Sequence, residues 1–358
     1  MTLDLDLIRR MPKVTLHDHL DGGLRPQTIL ELAGDVGHEL PAATPEALAD
    51  WFFEAADSGS LVRYLQTFDH TIAVMQTGAQ LRRVAREFVE DQAADGVIYA
   101  EARWAPQQHL RAGLTMAQAV EAVRDGLADG MATCAQRGHS ITARQILTSM
   151  RQLEPTLDVA ELAVAYRNDS VCGFDIAGAE DGYPPSKFVA AFDYLRQRNV
   201  EYTIHAGEAF GVASIWQALQ LCGASRLGHG VRLVEDIIRG PSGWELGEVA
   251  RYVRDRRIPL ELCPSSNLQT GVCATIAEHP FGLLSDLRFR VTVNCDNRLM
   301  SRTTLSRELL LLAEAFDYDV PDLRLFTVNA AKSAFHPFDQ RRELINDVIL
   351  PGFGALTG

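Results

Sequence analysis

The sequence predicts an α/β fold, namely a (β/α)8 TIM barrel with a helical insertion after strand 1. Three observations lead to this prediction: short apolar or β-branched segments occur eight times, longer helical patterns separate them, and polar residues gather where the segments end. Alternating strands and helices are typical of parallel α/β folds, and eight strands are the number that closes such a barrel. A doubly wound open sheet, which the same alternation could build, is the alternative.

The eight predicted strands share a short length and a turn residue or polar group at one end. They are VTLHDH (14–19), VIYAEARW (97–104), ITARQILTSM (141–150), VCGFDIAG (171–178), EYTIHAG (201–207), SRLGHG (225–230), IPLELCP (258–264) and FRVTVNCD (289–296). Helical spacing of apolar residues, with a terminal Gly, predicts a helix over 81–96. A Pro-Ser start predicts another over 185–199. The span from 24 to 81 is helical in composition and carries no predicted strand.

The chain shows no linker, low-complexity tract or charge block, so we predict one domain over residues 1–358. Length alone favours about two domains, but a barrel runs from about 200 to over 400 residues as one unit. We assign the surplus to a helical lid over roughly 24–95 and to long loops.

The charge balance argues against polyanionic partners. The chain has 34 Lys and Arg against 47 Asp and Glu, a formal net charge of -13. Nucleic acids and anionic membranes require a basic face, so we expect neither as a partner, whereas a neutral nucleoside is compatible. Six scattered cysteines without a C-x-x-C motif, and no apolar run of membrane-spanning length, predict a cytoplasmic protein. The oligomeric state stays open.

The first metal-binding pattern is H-D-H in the first predicted strand. Side chains two residues apart on a strand point to one side, so His17 and His19 can present both imidazoles to one point. Zinc accepts neutral imidazole nitrogens, and a catalytic site leaves one position for water. Two histidines that hydrogen-bond on a sheet face are the alternative.

Three more strand ends carry residues of the same chemistry. His205 and Glu208 occur in I-H-A-G-E, His229 lies between glycines in L-G-H-G, and Asp296 follows the apolar run V-T-V-N-C. A carboxyl near a metal suits a proton donor or acceptor, which is the role we predict for Glu208. A carboxylate that leaves an apolar strand is costly unless paired or ligated, which favours Asp296 as a ligand. A structural histidine in a tight turn stays open for His229.

Together the strand ends predict a metal-dependent hydrolase. His17, His19, His205 and Asp296 would form the ligand set, with His229 close by. A metal in such a site lowers the pKa of bound water to about 7. The sequence lacks the G-x-S-x-G elbow, the phosphate-binding G-x-x-x-x-G-K-[ST] loop and the H-x-E…P-C-x-x-C pattern of the cytidine-deaminase type of zinc enzyme.

Seven segments taken together resemble the adenosine deaminase family, and the actinobacterial form most closely. They are HDHLDGGLRPQTILELA (17–33), YAEARWAP (99–106), GFDIAGAE (173–180), IHAGE (204–208), RLGHGVR (226–232), ELCPSSN (261–267) and VTVNCDN (291–297). The resemblance runs nearly end to end. It implies a (β/α)8 amidohydrolase with one zinc per chain, which converts adenosine and 2′-deoxyadenosine to inosine and 2′-deoxyinosine plus ammonia.

Carried over position by position, the resemblance implies four zinc ligands: His17, His19, His205 and Asp296. It implies that Glu208 is the proton donor and that His229 positions the attacking water and helps to deprotonate it. Asp21 would hold a ribose hydroxyl and Gly178 would contact purine N3 through its backbone. His19 would also lie beside the substrate.

The chain departs from the family where T-D-D-P is usual and Cys295-Asp296-Asn297-Arg298 stands here. The second Asp contacts purine N7, an acceptor, and an Asn N–H can donate to it without the protonation that a carboxyl needs. Asn297 is therefore the expected N7 contact, although purine selectivity is open. Other substrates are alternatives: adenine, N6-methyl-AMP, aminodeoxyfutalosine or a modified nucleoside. A catalytically silent zinc-binding relative is another.

Overall fold

Ten strands occur in the computed structural model, which describes residues 3–357. In chain order they are β1 (Lys13–His19), β2 (Val97–Trp104), β3 (Thr142–Met150), β4 (Val171–Ala177), β5 (Thr203–Ala206), β6 (Arg226–His229), β7 (Ile237–Gly240), β8 (Gly243–Leu246), β9 (Pro259–Leu262) and β10 (Arg290–Val293). Eight of them are parallel and match the eight predicted segments. The other two, β7 and β8, form an antiparallel hairpin.

The eight parallel strands close into a barrel. They run in the orders β1-β2-β3-β4 and β5-β6-β9-β10. Single parallel bridges join the two halves, one between Asp18 and Asp296 and the other between Phe174 and Tyr202. An open sheet would leave two edge strands, whereas here β1 is bridged on both sides. The predicted (β/α)8 barrel is therefore confirmed, and the doubly wound sheet is excluded.

Helices follow the strands on the outside of the barrel. They are α1 (Leu5–Arg10), α2 (Pro26–Val36), α3 (Pro45–Ala56), α4 (Leu61–Leu65), α5 (Phe68–Ala73), α6 (Gly78–Ala94), α7 (Met116–Gln136), α8 (Asp158–Ala165), α9 (Val189–Arg196), α10 (Val212–Trp216), α11 (Glu248–Asp255), α12 (Pro264–Gln269), α13 (Phe281–Asp286), α14 (Leu305–Phe316), α15 (Val320–Ser333), α16 (Phe338–Glu343) and α17 (Leu350–Thr357). No helix in residues 3–357 is long and apolar enough to cross a membrane.

The helical insertion after β1 consists of α2 to α6, as the composition predicts. Helix α6 begins at a capping box in which Thr77 and Gln80 satisfy each other's backbone N–H groups, three residues before the predicted start. Helix α6 packs along α7 and β2. Residues of α4 and α5 instead reach over the carboxyl end of the barrel. That the span 24–95 acts as one lid stays a prediction.

The hairpin β7–β8 is the part of the sheet structure that the sequence analysis missed. Its strands have four residues each, and its large apolar side chains Ile238 and Trp244 are 61% and 42% exposed. Because these residues do not alternate between a buried and a solvent face, the segment has no strand periodicity to detect.

Candidate metal centre and active site

Five ionisable side chains meet at the carboxyl end of the barrel. His17 and His19 come from β1, His205 from β5 and His229 from the end of β6, and Asp296 follows β10. One ligand atom from each of His17, His205, His229 and Asp296 lies within 4.8 Å of the others. His19 Nε2 lies 3.3 Å from His205 Nε2 and 3.3 Å from Asp296 Oδ1. The fold thus brings together all five residues that the strand ends single out.

Buried carboxylates orient two of the imidazoles from behind. His17 Nδ1 lies 3.0 Å from Glu261 Oε2, and His205 Nδ1 lies 2.8 Å from Asp175 Oδ2. Arg103 joins the two carboxylates, since it donates to Asp175 at 2.8 Å and to Glu261 at 2.7 Å. A carboxylate on Nδ1 places the proton there and leaves the Nε2 lone pair for a metal. This is the usual surrounding of histidine ligands.

The electrostatics of the cluster suit a divalent cation. Burial holds the pKa of His19, His205 and His229 well below the usual value, so the imidazoles are neutral. Burial acts to raise the pKa of Asp296, but the close approach of His17, followed by His19, outweighs it and keeps this pKa well below the usual range. His17 Nε2 and Asp296 Oδ1 are buried without a hydrogen-bond partner. A bound metal would satisfy both atoms.

Two of the five residues have left-handed backbone conformations. His229 has a φ of 59° and Asp296 a φ of 60°. Such angles are uncommon outside glycine and cost of order 1–3 kcal/mol, and they persist where the surrounding structure fixes them. Ser266 contributes to this at Asp296, because its hydroxyl donates to Oδ2 at 2.6 Å and leaves Oδ1 turned toward the histidines.

A hydrogen-bond relay sets the tautomer of His229. The backbone N–H of Phe281 donates to His279 Nδ1 at 3.0 Å, so the His279 proton is on Nε2 and points to Asn267 Oδ1 at 3.2 Å. This fixes the amide of Asn267, whose Nδ2 then donates to His229 Nδ1 at 3.1 Å. A neutral His229 therefore carries its proton on Nε2. That nitrogen is a donor into the site and has no free lone pair for a metal.

Glu208 is the buried acid of the site. Its Oε2 lies 3.6 Å from His229 Nε2, and 6% of the residue is exposed. Burial, followed by the negative charges of Asp296 and Glu180, raises the pKa of Glu208 well above the usual value. A raised pKa favours the protonated form of this carboxyl, which is the form that a general acid requires.

The turn that carries Glu208 is held by one carboxylate, Glu180. Its Oε1 accepts the N–H of Gly207 at 2.7 Å, and its Oε2 accepts those of Glu208, Ala209 and Phe210 at 3.1, 2.8 and 2.9 Å. Four successive amides therefore point to one anion. The arrangement fixes the direction in which the Glu208 side chain leaves the backbone.

A cavity of about 180 Å³ lies over the cluster. Leu61, Leu65, Phe68 and Ile72 of the helical insertion cover it with apolar surface. The predicted site residues that line it are His19, Asp21, Gly178, His205, Glu208, His229, Asp296 and Asn297. No Lys or Arg lines it.

Several polar atoms that line the cavity have no hydrogen-bond partner among residues 3–357, and two of them belong to predicted substrate contacts. Asp21 Oδ1 and Asn297 Oδ1 are buried without a hydrogen bond. Burial is the main cause that raises the pKa of Asp21 to about 7. Gly178 has a φ of 107°, and a Cβ there would come within 2.4 Å of Gln152 Oε1, so the position requires glycine. These three residues present a carboxyl, an amide and a bare backbone to the cavity.

Some residues with a part in the site had no role in the sequence analysis. Four residues support the site from behind, and no sequence pattern assigns them a function: Glu180, Glu261, Asn267 and His279. Their partners are distant in sequence, so no local pattern reveals them. Ser265, also at a strand end, does not line the cavity, and its backbone N–H bonds Glu308.

Comparison with known proteins agrees with this geometry. The family model described as Adenosine deaminase matches residues 12–351. Adenosine deaminase 1 of Streptomyces coelicolor is 59% identical over 98% of this chain and 89% of its own length. Adenosine deaminase of Mycobacteroides abscessus is 57% identical over the full length of both chains.

A solved structure extends the comparison to the fold. An amidohydrolase from Burkholderia ambifaria with bound Zn has a TM-score of 0.84 and 26% identity, covering 100% of this chain and 95% of that one. The sequence match points to the same family as the closed barrel and the cluster of histidines and Asp296 at its carboxyl end. This chain belongs to the adenosine deaminase family.

Proposed function

We propose that the protein catalyses zinc-dependent hydrolytic deamination of adenosine and 2′-deoxyadenosine to inosine and 2′-deoxyinosine, with release of ammonia. The observation that carries the proposal is the position of the buried carboxyl Glu208 beside a cluster of histidines and Asp296 in one cavity. The names of the relatives from Streptomyces and Mycobacteroides support the same activity.

We assign the zinc, one per chain, to His17, His19, His205 and Asp296. The relay through Asn267 supports the choice of His19 over His229, because it leaves a proton on His229 Nε2. Neutral imidazoles and a carboxylate are the ligands of catalytic zinc sites, and the Burkholderia amidohydrolase holds zinc. A bound zinc would supply a water molecule activated for attack on the purine C6.

The acid–base work falls to Glu208 and His229. Glu208 transfers its proton to purine N1, which breaks the aromaticity of the ring and makes C6 electrophilic. His229 positions the oxygen that adds to C6, as the resemblance implies, by donating a hydrogen bond from Nε2–H. The help with deprotonation that the resemblance also implies does not fit this tautomer, because Nε2 then has no lone pair to accept a proton. One proton of the added water passes to the amino group, the C6–N bond breaks and ammonia leaves, and the other proton returns to Glu208, so the product carries a carbonyl at C6 and a proton on N1.

The unpartnered groups of the cavity would recognise the nucleoside. Asp21 Oδ1 would accept a ribose hydroxyl, the backbone at Gly178 would contact N3, and the Nδ2 group of Asn297 would donate to N7. Among residues 3–357, no Lys or Arg lines this cavity to form an ion pair with a 5′-phosphate, which favours a nucleoside over a nucleotide as the substrate. A silent metal-binding relative would have no need for Glu208 as a protonated acid.

The test is a substrate panel followed by ultraviolet absorbance. Adenosine and 2′-deoxyadenosine should be deaminated at comparable kcat/KM, and adenine and N6-methyl-AMP should be at least about 100-fold poorer, because they lack the ribose hydroxyl contact or add an unpaired phosphate. Equal or better turnover of adenine or N6-methyl-AMP would overturn the substrate assignment. No turnover of any compound would overturn the activity itself.

We also propose a reducing, cytoplasmic location. All six cysteines are free thiols in the structure, and Cys134, Cys222, Cys263 and Cys295 are buried. Buried unpaired thiols are usual in proteins of reducing compartments. A protein isolated without reductant from the cytoplasm should titrate six thiols after unfolding.

A further inference from the structure

A second, larger cavity opens at the opposite end of the barrel. It has a volume of about 830 Å³. Its walls include the first residues of strands, such as Arg226 of β6, Pro259 of β9 and Arg290 of β10, whereas the deaminase site lies at the carboxyl ends. The C-terminal part of α15 and the segment that follows it form another wall. The cavity has no part in the proposed reaction.

The walls of this cavity are cationic in a protein whose net charge is -13. Seven of its cations have no carboxylate within 4.0 Å among residues 3–357: Arg144, Arg167, Arg256, Arg257, Arg290, Lys332 and Arg341. Glu201 is the one acid in the wall, and it accepts a hydrogen bond from Ser225. Arg226 also reaches the cavity, but Glu101 and Glu261 neutralise it at 2.6 Å each.

Four of these arginines have a structural partner. Arg144 donates to the carbonyls of Arg167 and Val171, Arg167 and Arg257 donate to carbonyls at the ends of neighbouring elements, and Arg341 donates to that of Lys332. Bonds of this kind cap exposed carbonyls, as cations do at helix C-termini. They use single N–H groups and cancel none of the charge.

The side chains of the remaining three cations, Arg256, Arg290 and Lys332, donate no hydrogen bond to residues 3–357. Arg290 Nε is buried with no partner. Burial, with Arg257 and Arg341 nearby, lowers the pKa of Arg290. The same kind of environment, burial with Arg144 and Arg341, lowers the pKa of His336 to about 4. Like charges are thus crowded at a cost that a bound anion would remove.

We propose that this basal cavity binds a small molecule that carries several phosphate groups, with inorganic tripolyphosphate and nucleoside triphosphates as the chemical class. Its volume lies in the range of small-molecule sites, about 300–1,000 Å³. Arginine forks match phosphate oxygens, and a ligand with three or more negative charges is needed to balance the unpaired cations. Phe338, 69% exposed at the rim, offers a surface on which a base can stack.

The test is isothermal titration of the zinc-loaded protein with tripolyphosphate and with ATP at constant ionic strength. The test variant, Lys332→Glu with Arg290→Gln, changes two cations whose side chains donate no hydrogen bond to residues 3–357. The matched control, Arg324→Glu with Arg288→Gln, makes the same change of net charge; Arg324 lies on the same helix as Lys332, and neither control residue lines the cavity. Both variants should keep adenosine turnover.

We expect both ligands to bind the parent protein. The test variant should bind about tenfold or more weakly, which corresponds to about 1.4 kcal/mol, and the control should stay within about twofold of the parent. Tighter binding of ATP than of tripolyphosphate would support stacking of the base on Phe338 at the rim. Equal binding would show that the cavity recognises the phosphate groups alone. No binding of either ligand, or equal loss in both variants, would overturn the proposal.

Discussion

Substitution of Glu180 tests how much the position of the catalytic acid Glu208 contributes to activity, because it leaves Glu208 itself unchanged. Replacement by Gln keeps the size of the side chain but gives it one oxygen and one NH2 group. The best orientation keeps the amide oxygen on the N–H groups of Glu208, Ala209 and Phe210. The NH2 group then faces the N–H of Gly207, where two donors meet.

The magnitude follows from the four bonds. A hydrogen bond to a charged acceptor contributes about 1.5–3 kcal/mol and a neutral one about 1 kcal/mol. One bond is lost and three are weakened, so the free energy of unfolding should fall by about 3 kcal/mol. If half of this free energy is also lost from the transition state, because Glu208 is less well positioned there, kcat should fall about tenfold.

Removal of this charge also has an electrostatic consequence. Glu180 is one of the two carboxylates that raise the pKa of Glu208, after burial. Glu208 must be protonated to act, so activity falls as pH rises through its pKa. Without the charge on Glu180 this pKa is lower, and the alkaline limb of kcat/KM should move to lower pH.

The assay is the pH profile of adenosine turnover for the parent protein and Glu180→Gln. Glu308→Gln is the matched control, because Glu308 is also a buried carboxylate that accepts a backbone N–H, at Ser265, and does not line the cavity. The control should lose stability without a shift of the alkaline limb. An unshifted limb in Glu180→Gln, or the same shift in both variants, would refute the reasoning.

Three further predictions concern the acid, the relay and acid stability. Glu208→Gln should retain bound metal by elemental analysis yet lower kcat by about 10²–10⁴, and near-normal turnover would contradict its role. Nitrogen-15 NMR of His229 should place its proton on Nε2, and a proton on Nδ1 would exclude the relay through Asn267. Burial lowers the pKa of His109 to about 4 and that of His279 to about 3, so the unfolded chain binds protons that the folded chain does not. Stability from this source is complete above about pH 6.5 and lost as pH falls, so urea denaturation at pH 5 should show about 2 kcal/mol less per histidine, and the drop should be smaller by about 2 kcal/mol in His109→Gln.

The sequence predicted the barrel well because its strands are buried on both faces. A segment such as β4, whose residues Phe174 and Ile176 are fully buried, is a short and mostly apolar run, and such runs are recognisable without an alignment. The hairpin β7–β8 lies outside the barrel and buries little, so it has no such pattern. The reach of α4 and α5 over the cavity depends on tertiary packing that composition does not encode.

The site divides in the same way. The residues that face the cavity lie at the carboxyl ends of strands. Because these ends meet at one side of a barrel, His17, His205 and Asp296 come together, as predicted. Residues that act behind them were missed. Glu180 reaches the turn at Glu208 across a gap of 28 positions, and such contacts arise only when the barrel closes.

The assignment of the zinc rests on the donor set at the carboxyl end of the barrel, and stepwise metal return tests it most directly. The protein is stripped with a chelator, Zn²⁺ is added in known ratio, and adenosine turnover is read by ultraviolet absorbance. Turnover should be absent in the stripped protein, rise linearly and stop rising at one Zn²⁺ per chain. Asp296→Ala should show no rise. Full turnover in the metal-free protein, or unchanged turnover in Asp296→Ala, would contradict the assignment.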